Sequence, residues 1–454
     1  MTAQDFTPEH EIRTAFYQAM SRMYRTEVPL YGDLLSIVDD VNRRVLTAEP
    51  ELEESLRRRG ELERLGHERH GAIRVGSAAE LSMMRRAFAV MGMHPVGYYD
   101  LSVAGVPVHS TAFRPVELAS LNRNPFRVFT SLLRLELIED DELREQAARL
   151  LADRRIFTDE AVALVELYER DGGLDRESAN AFVAAVLETF RWHSDTAVDP
   201  QTYARLHDVH RLVADVTCFK GPHINHLTPR TLDIDAAQAE MLERGIEAKD
   251  VIEGPPRREV AILLRQTSFK ALEEKIRFAD GGAGTLGTHT ARFGEIEQRG
   301  LALTPAGRAL YDELLTEARG SRGSHGCDYE QRLQKAFERF PDDLDALRRE
   351  GLGYFNYRLV GDAPAVDSDD LETLLTRGVV EAAPIVYEDF LPVSAAGVFQ
   401  SNLGGTEQRS YSASDAQAAF EEALGAPVAD PFELYARIEA ETISAVRAAA
   451  DRLA

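Results

Sequence analysis

Cysteine is nearly absent: Cys218 and Cys327 are the only two in 454 residues, far apart and with no CxxC spacing. That excludes a disulfide framework and a structural four-cysteine zinc site, and it fits a reducing compartment. Long apolar runs are missing as well. No uncharged stretch approaches the roughly 20 residues needed to span a bilayer, and the opening MTAQDFTPEHEI is charged, without the apolar centre of a secretory signal. The expectation is a cytoplasmic protein with no membrane partner. Basic residues are in deficit, 52 Lys and Arg against 76 Asp and Glu, for a formal charge of −24. So acidic a balance, with no basic stripe, argues against nucleic acid as a partner. An anionic substrate would need local arginines. No HExxH helix and no GxSxG elbow occurs, so neither a zincin nor an α/β-hydrolase is indicated.

What is present supports a large core, since 44% of residues are hydrophobic and 28% charged. Residues 8–60 read as helical, with Phe16, Met20 and Met23 on one stripe and Leu52 and Leu56 continuing the apolar spacing. From about residue 64 the pattern changes. HGAIRVG reads as a strand, SAAELSMMRRAFAVMG as a helix begun at Ser77, and GYYDLSVAGVPVHSTAFRPV as two strands joined by a glycine turn. A helical block is expected over about 116–215, with Thr158 and Asp159 as start signals. Strand character returns in HINHLTP, REVAILLRQTSF and HTARFGEIEQ, with helices expected near 234–245 and 268–276. Thr304-Pro305 opens another helix, VVEAAPIVYEDFLPVSAAGVF reads as a strand region, and an amphipathic helix is expected over 432–453. The fold class is α+β: two βαβ-rich stretches separated by a helical insertion, with helical N- and C-terminal additions. The domain reading is a helical segment over 1–63, a core over 64–303 carrying the insertion, and a C-terminal α/β region over 304–454.

Three pairs of the 12 histidines have HxxH spacing: His67/His70, His207/His210 and His223/His226. On a helix such a pair shares a face; on a strand it does not. His207 and His210 lie in the charged helix ARLHDVHRLVADV and read as ordinary helix residues. Gly282, Gly284 and Gly287 match GxGxxG literally, but no strand is expected before them and a strand, not a helix, is expected after. A dinucleotide cradle needs a helix N-terminus there. The segment reads as a loop.

Strand geometry makes other residues more informative. Alternate residues share a face, so His70, Ala72 and Arg74 project together while Ile73 and Val75 face into packing. A histidine, a small residue and a guanidinium make a plausible wall for an acid, because the arginine fork can bind a carboxylate bidentately. His226 would share its face with Ile224 and Thr228, and His223 would point the other way. In RFGEIEQR, Phe293, Glu295 and Glu297 share one face and Gly294 and Ile296 the other. Two strand carboxylates beside a phenylalanine are costly to bury without a partner, and a metal ion or arginines could be that partner. Two histidines and one carboxylate would form the facial triad that leaves iron open on one side. Residue spacing alone leaves Glu295 and Glu297 tied for the carboxylate.

RHGAIRVG, GPHINHLTPR, RQTSFKA, HTARFGEIEQRG and LPVSAAGVFQSNLG together resemble the 2-oxoadipate dioxygenase/decarboxylase family, the D-2-hydroxyglutarate synthases, over nearly the whole chain. The resemblance implies a vicinal-oxygen-chelate fold of paired βαβββ units around a metal, and iron(II) as cofactor. It implies oxidative decarboxylation and hydroxylation of 2-oxoadipate with dioxygen to 2-hydroxyglutarate and carbon dioxide, in lysine degradation. Phe293-Gly294-Glu295-Ile296-Glu297-Gln298-Arg299 is similar to the FxExIQR strand of related dioxygenases, which places the carboxylate ligand at Glu295; the departure is Glu297, usually apolar there. The metal histidines fall on His70 and His226, the substrate arginine on Arg74, and a further substrate contact on Val393 and Ser394. The alternative within the superfamily is a non-oxidative, metal-dependent lyase or isomerase of a small oxo acid.

Overall fold

In a computed structural model of the chain, the described residues are 6–67, 69–279, 284–319, 327–360, 370–391 and 413–453. Two helices begin it, α1 (Glu9–Glu27) and α2 (Pro29–Ala48), followed by α3 (Pro50–Arg58) and α4 (Glu61–His67). The expected stripe of Phe16, Met20 and Met23 is buried, and it joins the main hydrophobic core.

β1 (Arg69–Val75), α5 (Ala78–Ala89), β2 (His94–Asp100), β3 (Val108–Arg114) and β4 (Arg127–Leu133) form one βαβββ unit. Ser77 caps α5 through a capping box with Glu80, as the serine before an apolar periodic run predicts. A 3₁₀ turn ending at Gly105, which sits at φ 81°, joins β2 to β3. The sheet order is β2-β3-β4-β1-β5, where β5 is His226–Pro229. β1 runs parallel to β4 and antiparallel to β5.

β4 corrects the expectation that residues 116–215 are a helical insertion, because this strand and α6 (Leu118–Arg123) come first. Every residue of β4 is buried, so its sequence RVFTSLL shows no alternation. A short buried run carries no period to identify it. The helices expected beyond it are present: α7 (Asp141–Asp153), α8 (Asp159–Asp171), α9 (Arg176–Leu187), α10 (Pro200–Val209) and α11 (Arg211–Thr217). Thr158 caps α8, and His210 caps α11 with its Nδ1, which accounts for that histidine without a ligand role.

The second unit starts with β5 and α12 (Ile234–Glu243). It continues through β6 (Leu264–Ser268), β7 (Glu273–Arg277), β8 (Leu286–Thr290) and β9 (Glu295–Arg299). β6 pairs with β9 and β7 with β8, while Arg230 next to β5 bridges in parallel to Glu297. This repeats the logic of the first unit, in which the opening strand lies parallel to the last. β7 replaces the helix expected near 268–276. Its segment KALEEKIR is rich in helix formers, but antiparallel pairing with β8 overrides that weak preference. β7 also leads a strand into the glycine-rich segment, against expectation, so that segment connects a β-hairpin; β8 follows as expected. Residues 280–283 of it lie outside the described residues.

The chain divides into two compact units: Met1–Lys249 with Thr267–Glu297 and Pro392–Val428, and Asp250–Gln266 with Gln298–Leu391 and Ala429–Ala454. The second holds the antiparallel pair β10 (Phe355–Leu359) and β11 (Val380–Pro384). It also holds the expected helices Pro305–Arg319, capped by Thr304, and Pro431–Leu453. No helix among the described residues is long and apolar enough to cross a membrane. Val393 and Ser394 lie outside the described residues.

Candidate metal centre and its neighbour

His70 and His226 come together because of the register between β1 and β5. Thr228 sits opposite His70 and Ala72 opposite His226, so the two imidazoles lie diagonally on one face. Their rings are 5.2 Å apart at 87°. The small Ala72 leaves room there, while Gly71 on the other face lets Ile224 in: a Cβ on Gly71 would stand 2.7 Å from Ile224 Cδ1. Ile224 therefore joins the core and does not share the face of His226, as the alternation had predicted. It precedes the first paired residue of β5, where strand alternation no longer applies.

Glu295 is brought alongside by β9. Thr231 N–H donates to the Glu297 carbonyl at 2.7 Å, fixing β9 beside the end of β5. Tyr24 of α1 donates from its hydroxyl to the carbonyls of Asn225 and Phe293, at 2.9 and 2.8 Å, and so ties down the approaches to both strands. Gly294 has no room for a side chain, since a Cβ would meet Phe269 at 2.1 Å and Leu34 at 2.5 Å. Phe293 packs on His226 at 4.7 Å between ring centres. The predicted faces hold here: Ile296 points into the core, and Glu295 and Glu297 point to the histidines.

Geometry separates the two glutamates. Glu295 Oε2 lies 3.1 Å from His70 Nε2 and 3.8 Å from His226 Nδ1, and it accepts from the Thr228 hydroxyl at 3.0 Å. Thr228 also contacts His226 Nδ1 at 2.9 Å. Having given its one proton to Glu295, Thr228 accepts from His226 Nδ1–H, which leaves the lone pair on His226 Nε2. Glu297 stands on the other side of His70, with Oε2 2.8 Å from Nδ1 and Oε1 3.4 Å from Arg127 Nη1. Burial would lower the pKa of His70, but Glu297 and Glu295 outweigh it and raise it. Burial would raise that of Glu295, yet His226 and His70 hold it below the usual carboxylate range. Burial pushes His226 down to about 3, keeping it neutral as a ligand must be.

His70, His226 and Glu295 are all buried and offer donor atoms within 4.8 Å of one another. Two imidazoles and one carboxylate, with a second carboxylate on the far nitrogen of His70, fit a divalent transition metal. Outer carboxylates of that kind orient ligand histidines and raise their basicity.

Arg74 lies in the same β1 face, but at a different cluster. Its Nη1 donates to Asp215 Oδ2 at 2.7 Å, and His289 Nε2 lies 2.9 Å from Asp215 Oδ1. Sequence reasoning missed Asp215, His289 and Arg127. Asp215 gave one usable signal: it is a lone charge in the apolar run LVADVTCF, where burial demands a partner. His289 and Arg127 gave none, because their partners are remote in the chain.

A βαβββ unit and a second unit of β5, α12 and β6 to β9, joined through β1 and β5 and carrying a two-histidine, one-carboxylate group that could hold a metal ion, define a vicinal-oxygen-chelate-like α+β fold with a candidate metal centre. Comparison with known proteins narrows this. The pattern of the 2-oxoadipate dioxygenase/decarboxylase family matches residues 16–402. The 2-oxoadipate dioxygenase/decarboxylase of Escherichia coli K12 is 58% identical over 94% of this chain and 96% of its own. That of Pseudomonas putida is 55% identical over 98% of each. The crystal structure of the Pseudomonas putida hydroxyglutarate synthase in complex with 2-oxoadipate superposes with a TM-score of 0.91, at 51% identity, covering 99% of this chain and 100% of that one. The chain belongs to the 2-oxoadipate dioxygenase/decarboxylase family.

Proposed function

We propose that this enzyme converts 2-oxoadipate and dioxygen to 2-hydroxyglutarate and carbon dioxide in the cytoplasm, using iron(II) held by His70, His226 and Glu295. The observation that carries the reading is the convergence of those three buried side chains, in a chain 51% identical to a synthase solved with 2-oxoadipate. When bound, iron(II) would be held by His70, His226 and Glu295 and would supply the redox chemistry with dioxygen.

The chain's own groups bind and orient. Glu297 holds the Nδ1 side of His70 and Thr228 the Nδ1 side of His226, which fixes the orientation of both rings. Arg74 stands four residues along β1 from His70, about 13 Å of strand, and takes the distal carboxylate of the six-carbon substrate. The 2-oxo acid end then reaches the metal, and chain length is selected by the span between the two points. Val393 and Ser394 add a backbone and hydroxyl contact to the substrate. The substrate's own oxo acid serves the oxidation: loss of its carboxyl as carbon dioxide leaves a five-carbon acid that gains one hydroxyl, so both atoms of dioxygen are accounted for.

The test is anaerobic addition of 2-oxoadipate to iron(II)-loaded protein, followed by labelled dioxygen and mass spectrometry. One label in the new carboxylate and one in the hydroxyl of 2-hydroxyglutarate is the expected result. Turnover without oxygen uptake would point instead to a non-oxidative lyase or isomerase. No consumption of 2-oxoadipate would overturn the reaction altogether.

A further inference from the structure

Arg74 does not stand alone in its wall. Asp215 on α11 is buried, with one oxygen on Arg74 Nη1 at 2.7 Å and the other at 2.9 Å from His289 Nε2. His223 Nε2 is 3.6 Å from that same second oxygen, and Asn225 Nδ2 contacts His223 Nε2 at 3.2 Å. The amide can only donate, so His223 Nε2 is the acceptor there and carries no proton toward Asp215. A carboxylate only accepts, so His289 Nε2–H donates to Asp215, and in the neutral ring Nδ1 accepts from the Tyr203 hydroxyl at 2.8 Å. The result is a one-way chain: Tyr203 O–H to His289, His289 N–H to Asp215, and Asp215 receiving Arg74. The ring of His289 lies parallel to Trp192, 6.1 Å away at 8°, with Phe219 at 4.8 Å on another side. Arg74, Asp215 and His289 are each less than a tenth exposed.

We infer that Asp215 is a positioning residue for substrate recognition, and that His289 and Tyr203 hold Asp215 in place. A buried guanidinium needs a resident counter-charge before substrate arrives, and a flexible arginine must be fixed before it can measure a carboxylate's position. Asp215 does both. Its two oxygens are divided between the arginine and the imidazole, so the relay from Tyr203 sets the angle at which Arg74 is held. None of these groups is among His70, His226, Glu295 or the residues touching them in the metal cluster, so their effect falls on substrate affinity. The inference rests on the assignment of Arg74 to the substrate carboxylate.

The experiment is steady-state kinetics of the full-length, iron(II)-loaded protein with 2-oxoadipate, together with metal content. Asp215→Asn should raise KM about tenfold or more, the scale of one charge-assisted hydrogen bond, with kcat within about threefold and metal stoichiometry unchanged. His289→Phe keeps the stacking and removes the bond to Asp215, and should raise KM by a smaller factor, about threefold, in the same direction. A fall in kcat with KM unchanged, or no change in either variant, overturns the inference. If Asp215→Asn does not fold, His289→Phe decides it by the same split. Absence of wild-type turnover would instead strike the assigned reaction, so the two failures are distinguishable.

Discussion

Two buried polar clusters share the face of β1, and they are built on opposite principles. At the Asp215 cluster one carboxylate is met by one guanidinium and one imidazole N–H, so charge and hydrogen bonds close within the protein. At the His70 cluster two carboxylates flank one imidazole, and a second imidazole, that of His226, approaches Glu295. Burying carboxylates side by side is unfavourable unless positive charge arrives between them. The first arrangement suits a fixed tool that grips an anion. The second suits a socket for a cation. A strand face can carry both because residues 70 and 74 are separated by two full repeats of alternation.

The largest expected effect breaks the socket. Glu295→Ala or His70→Ala should remove bound iron and abolish turnover, measured by metal analysis and oxygen uptake, and chelation of the wild type should do the same reversibly. Retention of stoichiometric iron in Glu295→Ala would reverse the roles of the two glutamates. Next comes the tool: Arg74→Ala should raise KM for 2-oxoadipate by about a hundredfold, the upper range for a charged hydrogen-bonding partner, while iron content stays the same. Equal loss of iron and substrate affinity would dissolve the distinction between the clusters. Glu297→Gln should weaken iron affinity by about 10–100-fold without eliminating it, as loss of an outer carboxylate does; titration with a competing chelator reads this directly.

Smaller effects test the packing behind the socket. Gly294→Ala should cost about 1–3 kcal/mol, because Phe269 and Leu34 fill the space of its missing Cβ. The check is a lower midpoint of chemical denaturation. Smallest at neutral pH is the contribution of His109 on β3. Burial first, and then the charge of Arg134, hold it down at about 4. In the unfolded chain a histidine titrates near 6.5, so on acidification the unfolded state takes up the proton first. Stability from this group is intact above about pH 6.5 and is lost progressively toward pH 4. His109→Gln should flatten that part of the stability–pH curve; an unchanged slope would contradict it.

Much of this was legible in order. β1, β2 and β3 announced themselves through glycine boundaries and β-branched residues, β5 as a strand-like run between prolines, and α5 through Ser77. β4 was hidden because a strand covered on both faces has no alternation to show. β7 was hidden because Glu, Lys and Ala prefer helices in isolation, and pairing with β8 outweighs that preference. At the site, alternation correctly grouped His70 with Arg74 and Glu295 with Glu297. It misplaced Ile224, which lies just before the ladder that enforces alternation.

The sequence by itself determined the candidate ligand types, the strand faces they occupy and, through the resemblance carried by HTARFGEIEQRG and its companion segments, the family. Spacing leaves Glu295 and Glu297 tied because both point to the same side of β9; the resemblance favours Glu295, and the tertiary structure gives the two carboxylates different places. What separates them is which nitrogen of a histidine more than two hundred residues away each one reaches. The same holds for Asp215. Its burial is a local property that an apolar run can reveal, whereas its partners Arg74 on β1 and His289 on β8 are remote in the chain and meet it only in the folded structure, which no local pattern encodes.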